Sequence, residues 1–302
     1  MLDAKRLRYL DAIYRHKSFT RAGEELFVSQ SAISSAVNSL EKELGVKLIV
    51  RNPKKVVFTA EGEQLMQCAT RILRECEEAE RIMADLSSTE HRTLHLGVGP
   101  TLVSQFLPIL YSSFLPQWPG VNIRLNEDSM HNHLKQVENG TLDLAYNALP
   151  SGDAAAGFTL TPICSSEICA VMNRDHPLAQ YEAIPFEALA GQPLCLLDEK
   201  ARIRALVTEG FAQHRVIPHI VSDHEQLLSL FHTVHYGNYI GFVSTEPDHT
   251  VSFYGTADLV IRPLADPLFF EVGFIRKTGR YLPKIAKNLI EFMKGQLSTH
   301  PE

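Results

Sequence analysis

Apolar positions in the first ninety residues repeat at helical spacings. Leu2, Leu7, Leu10 and Ile13 mark a first helix, and a second amphipathic segment closes at Leu26 and Phe27. Val28-Ser29-Gln30-Ser31 then forms a turn. Beyond it Ile33, Val37, Leu40 and Leu44 recur at spacings of four, three and four, which is one buried helical face. Ser29 is placed to cap that helix, its hydroxyl accepting from a free backbone N–H. Gln30, Ser31, Ser34, Ser35 and Asn38 are left on or near the outward face. A longer helix is predicted after Thr59, with Glu61 and Glu63 near its positive end. Along it Leu65, Ala69, Ile72, Cys76, Ala79, Met83 and Leu86 follow at spacings of 4, 3, 4, 3, 4 and 3, the seam of a two-helix coiled coil. The same pattern would also suit a helix packed on its own domain.

Two short helices joined by a tight turn can place the start of the second in the DNA major groove. Gln pairs bidentately with adenine there, and Ser donates to or accepts from several bases. Periodicity alone fits an ordinary helix pair with a Ser-rich solvent face equally well.

Ser18-Phe19-Thr20, Ala22, Leu26, Ser29-Gln30-Ser31-Ala32-Ile33-Ser34, Leu40-Glu41, Leu44-Gly45, Leu48, Arg51, Thr59 and Glu61-Gly62 separate the two readings. In ungapped register, this set resembles the winged helix-turn-helix of LysR-type transcriptional regulators. The chain departs from that pattern at Gly23, where a second Ala is usual, at Ser35 and Asn38, where Arg or Lys is common, and at Ile49 in place of Phe. The resemblance implies DNA contacts from Ser18, Thr20, Arg21, Ser29, Gln30, Ser31, Ser34, Ser35, Asn38, Arg51, Lys54 and Lys55. It also implies that the long helix is the linker through which such regulators dimerise. Pairing of two reading helices leads us to expect an imperfectly palindromic operator.

Charge supports this division. Residues 1–58 carry 11 Lys+Arg against 6 Asp+Glu, a balance of +5, whereas residues 59–91 balance at −5 and residues 92–302 at −6. A basic balance confined to one end is the footprint of a protein that meets phosphate there. Lys54 and Lys55, between the breaker Pro53 and the β-branched Val56-Val57, read as the tip of a β-wing. With Arg51 they are expected on backbone phosphate, contributing affinity more than specificity. The five cysteines (Cys68, Cys76, Cys164, Cys169, Cys195) form no CxxC pair, and a reduced cytoplasmic chain is expected. The start is charged from its third residue and reads as neither signal peptide nor anchor.

From Leu94 onward short apolar runs alternate with helical segments, which argues for a parallel, doubly wound sheet. LHLGV, VNIRLNED and LDLAYNAL are strands of a first unit. VSQFLPILYSSFLPQW is expected as one helix, and HLKQVENG ends another. EICAVMN, LCLL, HIV and YIGFVS are strands of a second unit, and PLFFEVGFIRK with LPKIAKNLIEFMKGQL supplies a last strand and helix. The resemblance continues through LHLGV, LPQWPGVNIRL, ENGTLDLA and DHPLA. It implies an effector-binding domain of two Rossmann-like subdomains, hinged by two crossing strands and similar in plan to periplasmic binding proteins.

The expected organisation is a winged helix-turn-helix domain over 1–58, a linker helix and hinge over 59–91, and a regulatory domain over 92–302. Its subdomains would be 92–162 with 263–302, and 163–262. Ligands in such sheets bind at the C-terminal ends of strands. By position Thr101, Ser129, Asn147, Arg202, Arg204 and Ser244 are the candidate effector contacts. Thr101 and Ser129 would bond a carboxylate or amide, and an arginine would supply counter-charge. Thr101 and Ser129 would serve equally as helix caps, and the arginines as exposed helix-face residues.

Asp175-His176-Pro177-Leu178 reads as a turn. His131 with His133, and His232 with His235, lack ligand spacing for a metal and are expected to be solvated. No Gly-x-Ser-x-Gly, phosphate loop or nucleophile–base arrangement is found, so neither an enzyme nor a bound cofactor is expected. The expected partners are an operator in double-stranded DNA, a small-molecule effector with anions among the candidates, a second copy or three further copies of the chain, and RNA polymerase. Two rivals remain: oxidation sensing by Cys164, Cys169 or Cys195, and a solute-binding or enzymatic module whose N-terminal helices serve only assembly.

Overall fold

A computed structural model describes residues 2–52, 55–87, 92–245 and 258–297. The chain divides into two compact units, Met1–Ser88 and Thr89–Glu302.

The first unit begins with α1 (Ala4–His16), whose N-cap Asp3 accepts the backbone N–H of Arg6 at 2.8 Å. Ser18 caps α2 (Phe19–Leu26) through the N–H of Arg21, and Ser29 caps α3 (Gln30–Leu44) through that of Ala32. Gly45, in the left-handed region, ends α3. An antiparallel pair, β1 (Ile49–Asn52) and β2 (Lys55–Phe58), forms the wing with Ile49 opposite Phe58. Thr59 Oγ1 then donates to the Lys47 carbonyl and accepts from Gly62 N–H, fixing where α4 (Ala60–Ser87) leaves the wing. The core is a single cluster that includes Leu7, Leu10, Ile13, Ile33, Val37, Leu40 and Phe58.

One expectation changes along α4. Met66, Ala69 and Leu73 are buried in this intrachain core, and Leu65 packs against it. Ala69 is wholly enclosed and offers no surface to a partner. Ile72 and Met83 stay exposed at 41 % and 59 %, Ala79 is exposed, and Cys76 is half-buried. The early part of the helix therefore stabilises its own domain, and the outward seam starts at Ile72. The side chain of Leu86 lies outside the described residues.

The second unit opens with β3 (Arg92–Val98), α5 (Val103–Pro108), β4 (Val121–Glu127), α6 (Met130–Asn139) and β5 (Leu144–Ala148). The single helix expected over 103–118 is interrupted. Pro108 has no N–H to continue the α-ladder, a π-helical stretch follows over Ile109–Phe114, and Pro116 sits within a closing 3-10 turn. Next come β6 (Phe158–Asn173), β7 (Pro193–Leu197), α7 (Arg202–Gln213), β8 (His219–His224), α8 (Leu227–Gly237), β9 (Gly241–Thr245), β10 (Leu259–Lys277) and α9 (Lys284–Leu297). Phe186–Leu189 forms a 3-10 turn.

The strands β4-β3-β5-β10-β6-β9 form one mixed sheet, with β3 parallel to both β4 and β5 and β10 antiparallel to β5 and β6. β7 and β8 are parallel, and Cys195 N–H bonds the Ile240 carbonyl just before β9. Two Rossmann-like lobes thus share the long antiparallel ribbon β6–β10. That ribbon breaks register between Pro263 and Leu268, where Ile184 takes over the backbone bonds of Pro263 and Ala265. The largest core cluster runs through both lobes, from Leu94 and Phe106 to Phe211 and Phe242.

Candidate nucleic-acid interface and ligand cleft

On α3 the buried residues are Ile33, Val37, Leu40 and Glu41, so the opposite face is fixed toward solvent. Gln30, Ser31, Ser35 and Asn38 are exposed there, and Ser34 is half-buried. Thr20 and Arg21 are exposed on α2. Ser18 and Ser29 cap α2 and α3 with their side chains, Ser29 as its place before α3 led us to expect. Ser29 Oγ also lies 3.1 Å from Ser31 Oγ. The side chains of Arg51 and Lys55, and all of Lys54, lie outside the described residues.

Two features of this unit were not assigned from sequence. Glu41 is buried yet charged, accepting backbone N–H groups of Leu48 and Ile49 at 2.8 and 3.1 Å and the Lys47 ammonium at 2.6 Å. Burial pushes its carboxyl up, but these donors together hold it below the ordinary range. Phe27, at the turn between α2 and α3, has φ 54° and is 96 % exposed. A bulky side chain rarely adopts that backbone.

The second unit contains a cleft of about 770 Å³ between its lobes. It lies beyond the C-terminal ends of β3, β4 and β5 on one side and of β7 and β8 on the other. Thr101, Ser129, Asn147 and Arg202 line it, as the order of strands and helices implied. Ser129 also caps α6 through the N–H of Asn132. Arg204 and Ser244 are not part of the lining. Arg204 lies two residues beyond Arg202 on α7 and turns to Asp223, 2.7 Å away on β8. Ser244 is buried in β9, its Oγ 3.5 Å from the Thr101 carbonyl. Glu127, Asp128, Asp198, Glu199 and Glu225 line the cleft against Lys200 and Arg202, so its charge does not favour a simple anion.

His133 was expected to be solvated and is instead fully buried. It stands at the start of a four-residue apolar spacing to Val137 on α6, a periodic signal that would have found it. His176 caps the turn at Pro177–Gln180 by accepting the N–H of Leu178. All five cysteines are free thiols, and among the described residues no group of His, Cys, Asp and Glu is disposed to hold a metal.

Comparison with known proteins accounts for both units. The family described as "Bacterial regulatory helix-turn-helix protein, lysR family" matches residues 4–63, and "LysR substrate binding domain" matches residues 87–298. The DNA-binding transcriptional dual regulator OxyR of Escherichia coli K12 is 33 % identical over 202 residues, which is 66 % of this chain and 64 % of that protein. A probable RuBisCO transcriptional regulator of Synechocystis is 30 % identical over 304 residues, covering 98 % of this chain and 87 % of that one. A full-length OxyR variant from Pseudomonas aeruginosa shares the fold, with a TM-score of 0.69 at 23 % identity over 99 % of this chain and 95 % of its own. The chain, with its capped helix-turn-helix and its two-lobed module around a cleft, belongs to the LysR family.

Proposed function

We propose that this protein is a sequence-specific DNA-binding transcriptional regulator whose activity is modulated by a small molecule bound in the cleft. The observation that carries the first half is the face of α3. One side of that helix is locked into the core, and Gln30, Ser31, Ser35 and Asn38 stand exposed on the other. The domain assignment is 1–58 for DNA, 59–91 for dimerisation through the outward seam of α4, and 92–302 for the effector. Within the last, the lobes are 92–162 with 263–302, and 163–262. The protein acts in the cytoplasm, as a dimer or tetramer, on an operator and through RNA polymerase. Among the described residues no helix is long and apolar enough to cross a membrane.

The cleft and the state of the thiols favour a ligand over an oxidant as the input. Cys169 and Cys195 are wholly buried, and burial pushes the Cys169 thiol to about 11 and raises that of Cys195. A redox-sensing cysteine needs the opposite setting, accessible and stabilised as thiolate. Cys164 lies half-buried beside the Tyr146 hydroxyl, and no cysteine lines the cleft. The effector acts by binding two lobe arrangements unequally.

Selection of bound fragments from a random duplex library by the full-length protein tests the reading. A defined sequence should be enriched, and Gln30→Ala and Ser34→Ala should each lose about 1–3 kcal/mol of discrimination while the oligomer persists. The logarithm of the binding constant should fall against log salt with slope about −0.9 per phosphate neutralised. Removing Lys54 and Lys55 should make that slope shallower by about one to two units. Enrichment of no sequence would overturn the proposal.

A further inference from the structure

Asn147 and His133 form a buried polar pair under the first-lobe side of the cleft. Asn147 is 6 % exposed and lines the cleft, and His133 beneath it has no exposure at all. Asn147 Nδ2 lies 3.0 Å from His133 Nδ1, and Asn147 Oδ1 accepts the backbone N–H of Ala148 at 2.8 Å. His133 Nε2 faces acceptors on Asn126, with the side-chain Oδ1 at 3.2 Å. Nε2 therefore carries the ring proton, and Nδ1 accepts from Asn147. Burial, which lowers the affinity of the ring for a second proton, keeps it in that neutral form against the pull of Asp128.

The fold makes room for this pair. A Cβ at Gly97 of β3 would come within 2.9 Å of the His133 ring, and one at Gly99 within 2.7 Å of Asn147 Oδ1. An apolar pair of similar shape would fill the same space, but it would leave the Ala148 N–H and the Asn126 Oδ1 without the partners they have here. The amide nitrogen of Asn147 has two hydrogens, and His133 takes one of them.

We infer that His133 is a positioning residue of the cleft: by accepting one N–H of Asn147 it leaves the other for the ligand, which is a molecule presenting an amide or carboxylate oxygen at that point. The inference rests on the cleft being the effector site.

The test is thermal unfolding of the full-length protein titrated with acetamide, glycine or sodium acetate, at ionic strength matched with sodium chloride. At least one probe should raise the wild-type Tm saturably. Asn147→Leu and His133→Leu should each weaken the apparent affinity about tenfold. His133→Asn, whose Oδ1 replaces Nδ1 as acceptor, should restore it. The double variant His133→Leu/Asn147→Leu should lose no more affinity than Asn147→Leu alone, which separates positioning through Asn147 from an independent contact. A wild-type response that His133→Leu or Asn147→Leu retains, but Arg202→Ala removes, would sink the inference and spare the cleft. A response indifferent to all three substitutions, or no response in the wild type, would overturn the cleft reading with it.

Discussion

The carboxylate of Glu41, on the buried side of α3, accepts the backbone N–H of Leu48 at 2.8 Å. With its second bond to Ile49 it ties α3 to the first strand of the wing. Glu41→Ala orphans both buried donors and should cost about 1–3 kcal/mol for each group left unsatisfied. Urea unfolding of the DNA-binding unit measures this, and an unchanged midpoint would refute it. The carboxyl is held below its ordinary range, so the bond stabilises the fold above that range. The stabilisation is lost as pH falls through the folded-state value, and the gap between wild type and Glu41→Ala should narrow in acid.

Phe27 carries backbone strain without burial to offset it. A left-handed residue other than glycine costs about 1–2 kcal/mol, and Asn tolerates the region better. Phe27→Asn should therefore raise the Tm of the first unit. If the ring serves the DNA face at the turn, the same substitution weakens operator binding. A lower Tm would show that the exposed ring has a stabilising contact.

Ile72 and Met83 present an apolar edge on α4. Ile72→Glu with Met83→Glu should shift the protein toward monomer in sedimentation velocity. Its helical content should stay unchanged, because the intrachain contacts of α4 run through Met66, Ala69 and Leu73. Ala69→Glu should instead unfold the domain, since that position is sealed. Equal effects from the two changes would contradict the division of the helix.

His214 ends α7 with Nδ1 2.9 Å from the Gly210 carbonyl and Nε2 3.0 Å from Asp266, in the irregular part of β10. Its ring also stacks on Phe186. The Gly210 carbonyl first, and then Asp266, raise its pKa above the usual value for histidine. A raised value means a contribution fully present below the ordinary histidine pKa and lost as pH climbs through the folded-state one. Unfolding of the second unit between pH 5 and 9 should show that loss. Asp266→Asn should flatten the profile, and a profile unaltered by the substitution would exclude the pair as its source.

Repetition made most of the fold legible. The spacing of Ile33, Val37 and Leu40 located α3, and the alternation of strands and helices after Leu94 placed four of six candidate residues around one cleft. Arg202 and Arg204 could not be separated because both begin the same helix, and only the fold sets Asp223 of β8 within reach of Arg204. Ser244 failed for a related reason: β9 is buried along its whole length, so strand position alone did not say which residues reach a cavity. Glu41 and His133 were missed because a buried polar side chain reads in sequence as a surface one. What distinguishes them is the partners they find, Lys47, Leu48 and Ile49 for Glu41 and Asn126 and Asn147 for His133, which only the fold brings against them.

The interrupted ribbon has a mechanical meaning. β6 and β10 pair on either side of the break, with one further bulge between Val272 and Gly273, so each lobe holds its own stretch of ladder. Compliance is then concentrated in residues 264–267, where the main chain is moored to Ile184 and Asp266 to His214 instead of to the ladder. Torque produced by closing the cleft would be taken up at those four residues, and their moorings set how far the lobes turn for a given ligand.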